Sequence, residues 1–251
     1  MTYCVAVTIK AGLVFISDSR TNAGVDNVST HSKMHKFGIQ GERQFVLLSS
    51  GNLATTQGVV QQLNRDIKQY MPLNLLTITS LSDAADYIGG ISVQQQEKHT
   101  GGGSDYEASF IIGGQILGSK PKAYLIYPQG NHITTSEDTP YLQIGESKYG
   151  KPILDRILKP DLNMETAVLC GLVSMDSTMR SNLTVGPPIE VMVYEADSYV
   201  LNRYYRFDED SDYLRDLKKS WDHNLKEAFN RLPPIAWSAN WDKQQSNQVD
   251  N

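Results

Sequence analysis

Short β-branched apolar runs along the chain are interrupted twice by pairs of segments whose apolar residues recur at helical spacing. Residues 2–10 (TYCVAVTIK) and 13–17 (LVFIS) are separated by Ala11-Gly12, which predicts two strands joined by a tight hairpin. A polar stretch over 19–32 leads to a run at 34–39, and the turn Gln40-Gly41-Glu42-Arg43 then leads to FVLLSSG at 45–51, a second strand pair. From Asn52 the period changes, with Val59, Val60, Leu63, Ile67 and Tyr70 at helical spacing until Pro72 closes the run. A second helix is predicted from Ser82-Asp83 to about Gln96.

The glycine-rich, polar segment HTGGGSDYE (99–107) reads as a flexible surface loop. Four short strand runs follow, SFIIGG, AYLIYP, GNHITT and PYLQIG, with Pro128-Gln129-Gly130-Asn131 as a hairpin turn. Helices are predicted at 149–158 and 164–181, the second capped by Asn163. IEVMVYEA and YVLNRYYRF form a last strand pair, and a charged helix at about 208–232 precedes a polar tail. Strands and paired helices come in separate blocks, which argues against alternating βαβ units and for an α+β sandwich of two antiparallel sheets, each covered by a helix pair. No repeat or change of composition marks a linker, so residues 1–251 are expected to form a single domain ending in that helix and tail.

Composition narrows the function classes. A net charge of -5 and the absence of a basic stripe argue against electrostatic binding to nucleic acid. No run approaches the length of a membrane span and no charged-then-apolar leader precedes the first strand, so no membrane association and a cytoplasmic location are expected. Cys4 and Cys170 both lie in apolar runs, where a thiol behaves as a small buried hydrophobe in a reducing compartment.

Several motifs are decoys. GESKYGK at 145–151 matches most of a phosphate-binding loop, but Pro152 stands where the magnesium-holding hydroxyl is needed. His31, His35, His99, His132 and His223 form no metal-ligand pattern, and no G-x-S-x-G provides a serine nucleophile. Neither metal nor cofactor is expected.

Thr2 is the residue with the sharpest chemistry. If Met1 is removed, Thr2 carries a hydroxyl and a free α-amine, whose pKa of about 7.7–8.0 lets it act as the base for its own hydroxyl. Such a site needs a cation beside the threonine and an oxyanion donor opposite. Asp18 follows the second strand in SDSR, where the hairpin returns the chain near Thr2, and Lys33 precedes the third strand, within reach of the threonine and of Asp18. Gly51 ends the fourth strand and opens a helix, a place where a backbone N–H faces a developing oxyanion. Taken singly, Asp18 also reads as a turn carboxylate, Lys33 as a surface amine and Gly51 as a strand-end glycine.

Together, Thr2, SDSRTNAG, Lys33 within STHSKM, and SSGNLATTQ resemble the threonine-peptidase signature of proteasome β-type subunits, and most closely that of the bacterial proteasome homologues called Anbu. IGESKYGKPILDR and LVSMDSTMRSNLTVGPPIEV extend the resemblance along essentially the whole chain. The Thr2-to-Asp18 spacing fits β subunits, whereas Lys33 is one residue nearer to the threonine than is usual. The resemblance implies a four-layer αββα N-terminal-nucleophile hydrolase fold, with Thr2 as nucleophile after Met1 is lost, Asp18 and Lys33 as its charge pair and Gly51 as oxyanion donor. Ser147 resembles the family's serine near the threonine amine, with Glu146 and Lys148 in place of the expected glycines. For the family's distal Asp-x-x-Ser, Asp176 and Ser181 are the candidates, with Thr178 as a further hydroxyl. The implied protein is a homo-oligomeric ring or helical assembly acting on peptides or other amides, without any residue that indicates an ATP-driven unfolding partner. A noncatalytic assembly subunit and a nonproteolytic amide-transfer enzyme are the competing readings on the same fold.

Overall fold

A computed structural model of the chain describes residues 2–22, 28–98, 103–235 and 237. They fall into two compact units, 1–211 and 212–251. In the first unit, β1 (Tyr3–Ile9) and β2 (Gly12–Asp18) form the expected hairpin, and a short hairpin of β3 (Arg20–Asn22) and β4 (Val28–Thr30) follows. Next come β5 (Met34–Ile39), β6 (Arg43–Gly51), α1 (Leu53–Lys68) and α2 (Leu81–Glu97). A one-turn 3-10 helix at Gly103–Tyr106 precedes β7 (Ala108–Ile116), β8 (Lys122–Ile126), β9 (His132–Thr134) and β10 (Tyr141–Gly145). The unit continues with α3 (Ser147–Ile157), α4 (Met164–Ser181), β11 (Ile189–Glu195) and β12 (Arg203–Phe207).

Two five-stranded antiparallel sheets result, ordered β10-β1-β2-β11-β12 and β5-β6-β7-β8-β9. Alternation along the strands builds the layers, because successive side chains point to opposite faces. On β6, Val46 and Leu48 turn inward and join Cys4, Ala6 and Phe15 of the facing sheet in one buried cluster. Phe45 and Leu47 turn the other way and pack with Val59, Leu63, Ala84 and Ile88 beneath α1 and α2. The helices α3 and α4 cover the outer face of the first sheet, against β10, β1, β2 and β11. This is the four-layer αββα sandwich, and its strands read as near-continuous apolar runs because both of their faces are covered.

Helix starts follow local chemistry. Asn52, Ser80 and Asn163 each accept a hydrogen bond from the N–H three residues on, at 3.1, 3.1 and 2.8 Å, a cap contributing about 1 kcal/mol. The cap of α2 is Ser80 rather than Ser82, so the helix begins one residue before the expected Ser82-Asp83 start. The short β3–β4 hairpin lies inside the stretch expected to be loop, since three-residue strands give too few positions for an alternating pattern to register. The segment expected as a flexible loop holds the 3-10 turn at its end, while residues 99–102 lie outside the described residues, as do Met1 and most of the polar tail.

The second unit contains α5 (Asp212–Asn230), somewhat shorter than the expected helix at 208–232, with none of its side chains buried. No helix among the described residues is long and apolar enough to cross a membrane.

Candidate active site

Thr2 immediately precedes β1 and is 8% exposed. Its carbonyl accepts the N–H of Glu146 at 2.8 Å. Gly145, the last residue of β10, lies flat against the same carbonyl. It has φ +81°, and a Cβ there would stand 1.9 Å from the Thr2 oxygen, so both the backbone angle and the approach require glycine. The GESKYGK segment thus does run from strand to helix, but β10 is antiparallel to β1 and its glycine holds Thr2.

Asp18 ends β2 beside this site and is fully buried. Its Oδ1 accepts from Lys33 Nζ at 2.8 Å and from the Tyr3 N–H at 3.0 Å, and its Oδ2 accepts from the Gly186 N–H at 3.4 Å. Lys33 also donates to the Arg20 carbonyl at 2.7 Å. Burial pushes the Asp18 carboxyl above its ordinary range, and the Lys33 ammonium and the two N–H donors oppose that rise. The pair therefore stands at the end of two strands, one from each sheet, with the ammonium held between a carboxylate and a carbonyl.

A second buried carboxylate fastens the same strand ends. Glu190 on β11 accepts from Ser19 Oγ at 2.8 Å, from Ser32 Oγ at 2.8 Å and from the Tyr204 hydroxyl at 2.6 Å. Ser19 follows Asp18 and Ser32 precedes Lys33, so one carboxylate ties together the neighbours of both charged residues. Close by, burial lowers the pKa of His35, with Glu190 working against it.

Thr2, Lys33 and Gly51 line one cavity of about 730 Å³. Gly51 lies at the junction of β6 and α1 with φ +112°, and a Cβ there would meet the Glu107 carbonyl at 2.3 Å. Other lining residues include Arg20, His31 and His35 on the strand side, Leu53, Gln57 and Val60 on α1, and Glu146. Ser147 opens α3 directly after Glu146 and is half-buried, but it does not line the cavity. Asp176 is buried within α4, Thr178 donates back to the Ser174 carbonyl, and Ser181 is exposed at the end of the helix; none of the three lines the cavity.

A family model for proteasome subunits matches residues 2–194. Among solved structures, Anbu (ancestral beta-subunit) from Yersinia bercovieri is 45% identical over 93% of this chain and 99% of that one, with a TM-score of 0.89. The chain belongs to the Anbu branch of the proteasome family. A second Anbu structure, the helical assembly of the Anbu complex from Pseudomonas aeruginosa, is likewise 45% identical, over 94% of this chain and 99% of that chain, with a TM-score of 0.89. More distantly, the proteasome subunit alpha of Sulfurisphaera tokodaii is 26% identical over 216 residues, 84% of this chain and 83% of that protein. The αββα layers described above are those of the proteasome family.

Sequence reasoning about this Anbu-type chain passed over three residues. Gly145 was read only as the first glycine of the phosphate-loop decoy and Glu146 only as a departure beside Ser147, although a carboxylate standing where the family carries glycine is itself a signal. Glu190 went unremarked, yet a single acid inside IEVMVY, a strand apolar on both faces, marks a charge that must be satisfied in the interior.

Proposed function

We propose that the protein is a threonine-type amide hydrolase that uses Thr2, freed by removal of Met1, as its nucleophile. The observation that carries this reading is the buried Asp18–Lys33 pair beside a threonine that stands second in the chain and lines the cavity. The amine of Thr2 takes the hydroxyl proton, and Oγ bonds to the carbonyl carbon of an amide. Lys33 favours the neutral amine by like-charge repulsion and stabilises the deprotonated oxygen. The Gly51 N–H receives the oxyanion. Collapse of the tetrahedral intermediate breaks the C–N bond, with the proton passing to the leaving amine, and water then hydrolyses the ester to restore Thr2. Ser147 is next to the residue that binds the Thr2 carbonyl and is assigned, by resemblance to the family's serine, the support of the amine.

Asp176 and Ser181 are retained as candidates for a supporting role through α4. The helical assembly of the P. aeruginosa relative supports a homo-oligomer. Peptides are the first substrate class, and other amides use the same chemistry. The resemblance to a proteasome alpha subunit favours a second reading, a noncatalytic assembly subunit.

One experiment separates the two. The purified protein is exposed to a threonine-directed covalent inhibitor and its intact mass and N-terminal residue are determined. Hydrolase function predicts an N-terminal threonine and one adduct per chain, lost in Thr2→Ala. An adduct that persists in Thr2→Ala, or retained methionine with no adduct in protein from its native cell, overturns the assignment.

A further inference from the structure

The cavity contains a charge that the hydrolysis scheme does not use. Glu146 is only 9% exposed and lines the cavity beside Thr2. It is the N-cap of α3, where a carboxylate commonly turns back onto the first free N–H groups, yet its side chain makes no capping bond. Among the described residues, no hydrogen bond or ion pair engages this carboxylate. Its backbone N–H is the group that binds the Thr2 carbonyl, which fixes the residue at the nucleophile.

The other charged residues around the cavity have their own partners. Lys33 is taken by Asp18 and the Arg20 carbonyl. The Arg20 guanidinium donates to the Leu183 carbonyl at 2.9 Å and lies 3.7 Å from Glu209. His31 and His35 also line the cavity. The side chain is largely buried while its carboxylate stays open to the cavity with no counter-ion among the described residues, so a cation brought by a ligand gains a charge-assisted hydrogen bond there. Resting on the reading of Thr2 as nucleophile, the geometry points to Glu146 as a specificity residue that selects peptides carrying a lysine or arginine next to the scissile bond.

An acid in place of the glycine of the proteasome pattern then gives a cavity whose wall already carries the cations Lys33 and Arg20, each with its own partners, one anionic contact. Leu53 and Val60 in the cavity lining suit the apolar stem of such a side chain, and the hydroxyls and amides of Thr21, Thr56, Gln57 and Gln61 its polar head.

Binding is measured on intact Thr2→Ala protein by calorimetry, so turnover plays no part. The probes are tripeptide amides with lysine, norleucine or glutamate placed at each position in turn; norleucine keeps the lysine stem and lacks the ammonium. The expected result is a lysine peptide bound at least ten-fold more tightly than its norleucine counterpart, with the difference falling below two-fold in Glu146→Gln and the preference reversed toward glutamate in Glu146→Lys. Equal binding of lysine and norleucine peptides, no binding of any peptide, or a lysine preference that survives in Glu146→Gln overturns the inference. Equal binding together with an N-terminal amine whose titration shifts in Glu146→Gln would assign the carboxylate to the chain's own terminus instead. Failure of Thr2-dependent labelling is read in a separate assay and refutes the nucleophile, not the cation site.

Discussion

Replacing Lys33 by methionine removes the counter-ion from a fully buried carboxylate while keeping most of the side-chain volume. Asp18 then retains only the Tyr3 and Gly186 N–H groups, at 3.0 and 3.4 Å. Breaking a buried pair from one side costs about 3–5 kcal/mol. For a chain of this length that is a fall in Tm of roughly 6–20 °C, measured by far-UV circular dichroism at one fixed protein concentration. The loss must depend on pH in a definite direction. Burial already holds the folded-state pKa of Asp18 above its unfolded value, and losing Lys33 raises it further. A carboxyl shifted upward makes the folded state the stronger proton binder, so its favourable contribution is present at low pH and is lost as pH rises through the folded pKa. The deficit of Lys33→Met relative to the parent should therefore shrink between pH 7 and pH 5.5, by at most about 2 kcal/mol for one proton. Adding Asp18→Asn removes the stranded charge, and the double variant should recover at least about 2 kcal/mol at pH 7. A Lys33→Met protein that loses less than about 1 kcal/mol at pH 7, or whose deficit is the same at both pH values, would refute the argument that Lys33 compensates a buried anion.

Two further substitutions probe how the site is held. Gly145→Ala places a methyl group against the Thr2 carbonyl at a positive φ, and should destabilise the protein by more than about 1 kcal/mol and slow Thr2 labelling at least ten-fold; labelling at the parental rate would show that the carbonyl contact does not position the nucleophile. Glu190→Gln replaces the acceptor shared by Ser19, Ser32 and Tyr204, at a cost of about 1–3 kcal/mol. It should lower the labelling rate and displace its pH profile, with Glu190→Asp recovering part of both, whereas an unchanged profile would reduce Glu190 to a purely structural role.

Much of the fold was legible because its signals are local. The bounds of β5 and α4, the Asn163 cap and the β1–β2 hairpin, whose turn is Lys10-Ala11 rather than the expected Ala11-Gly12, follow from apolar periodicity and turn chemistry within a dozen residues. The site was legible in part for a different reason. Asp18, Lys33 and Gly51 stand at strand ends, and the hairpins of each sheet carry those ends to a common edge. The β3–β4 pair was missed because its strands are too short to show a period, and α5 was drawn too long because charged residues flank its true ends without a change of composition.

By itself the sequence determined the order of elements, the layering of two sheets between helix pairs and the family, since these rest on alternation, caps and motif spacing along the chain. Tertiary structure decided which groups meet. Glu190 finds Ser19 and Ser32 from 171 and 158 residues away, Gly145 closes on the carbonyl of Thr2, and Glu146 is brought to the cavity wall with no partner for its carboxylate among the described residues. No local pattern encodes those meetings, because strand register and sheet-on-sheet packing set them, and both are fixed only when the whole core closes.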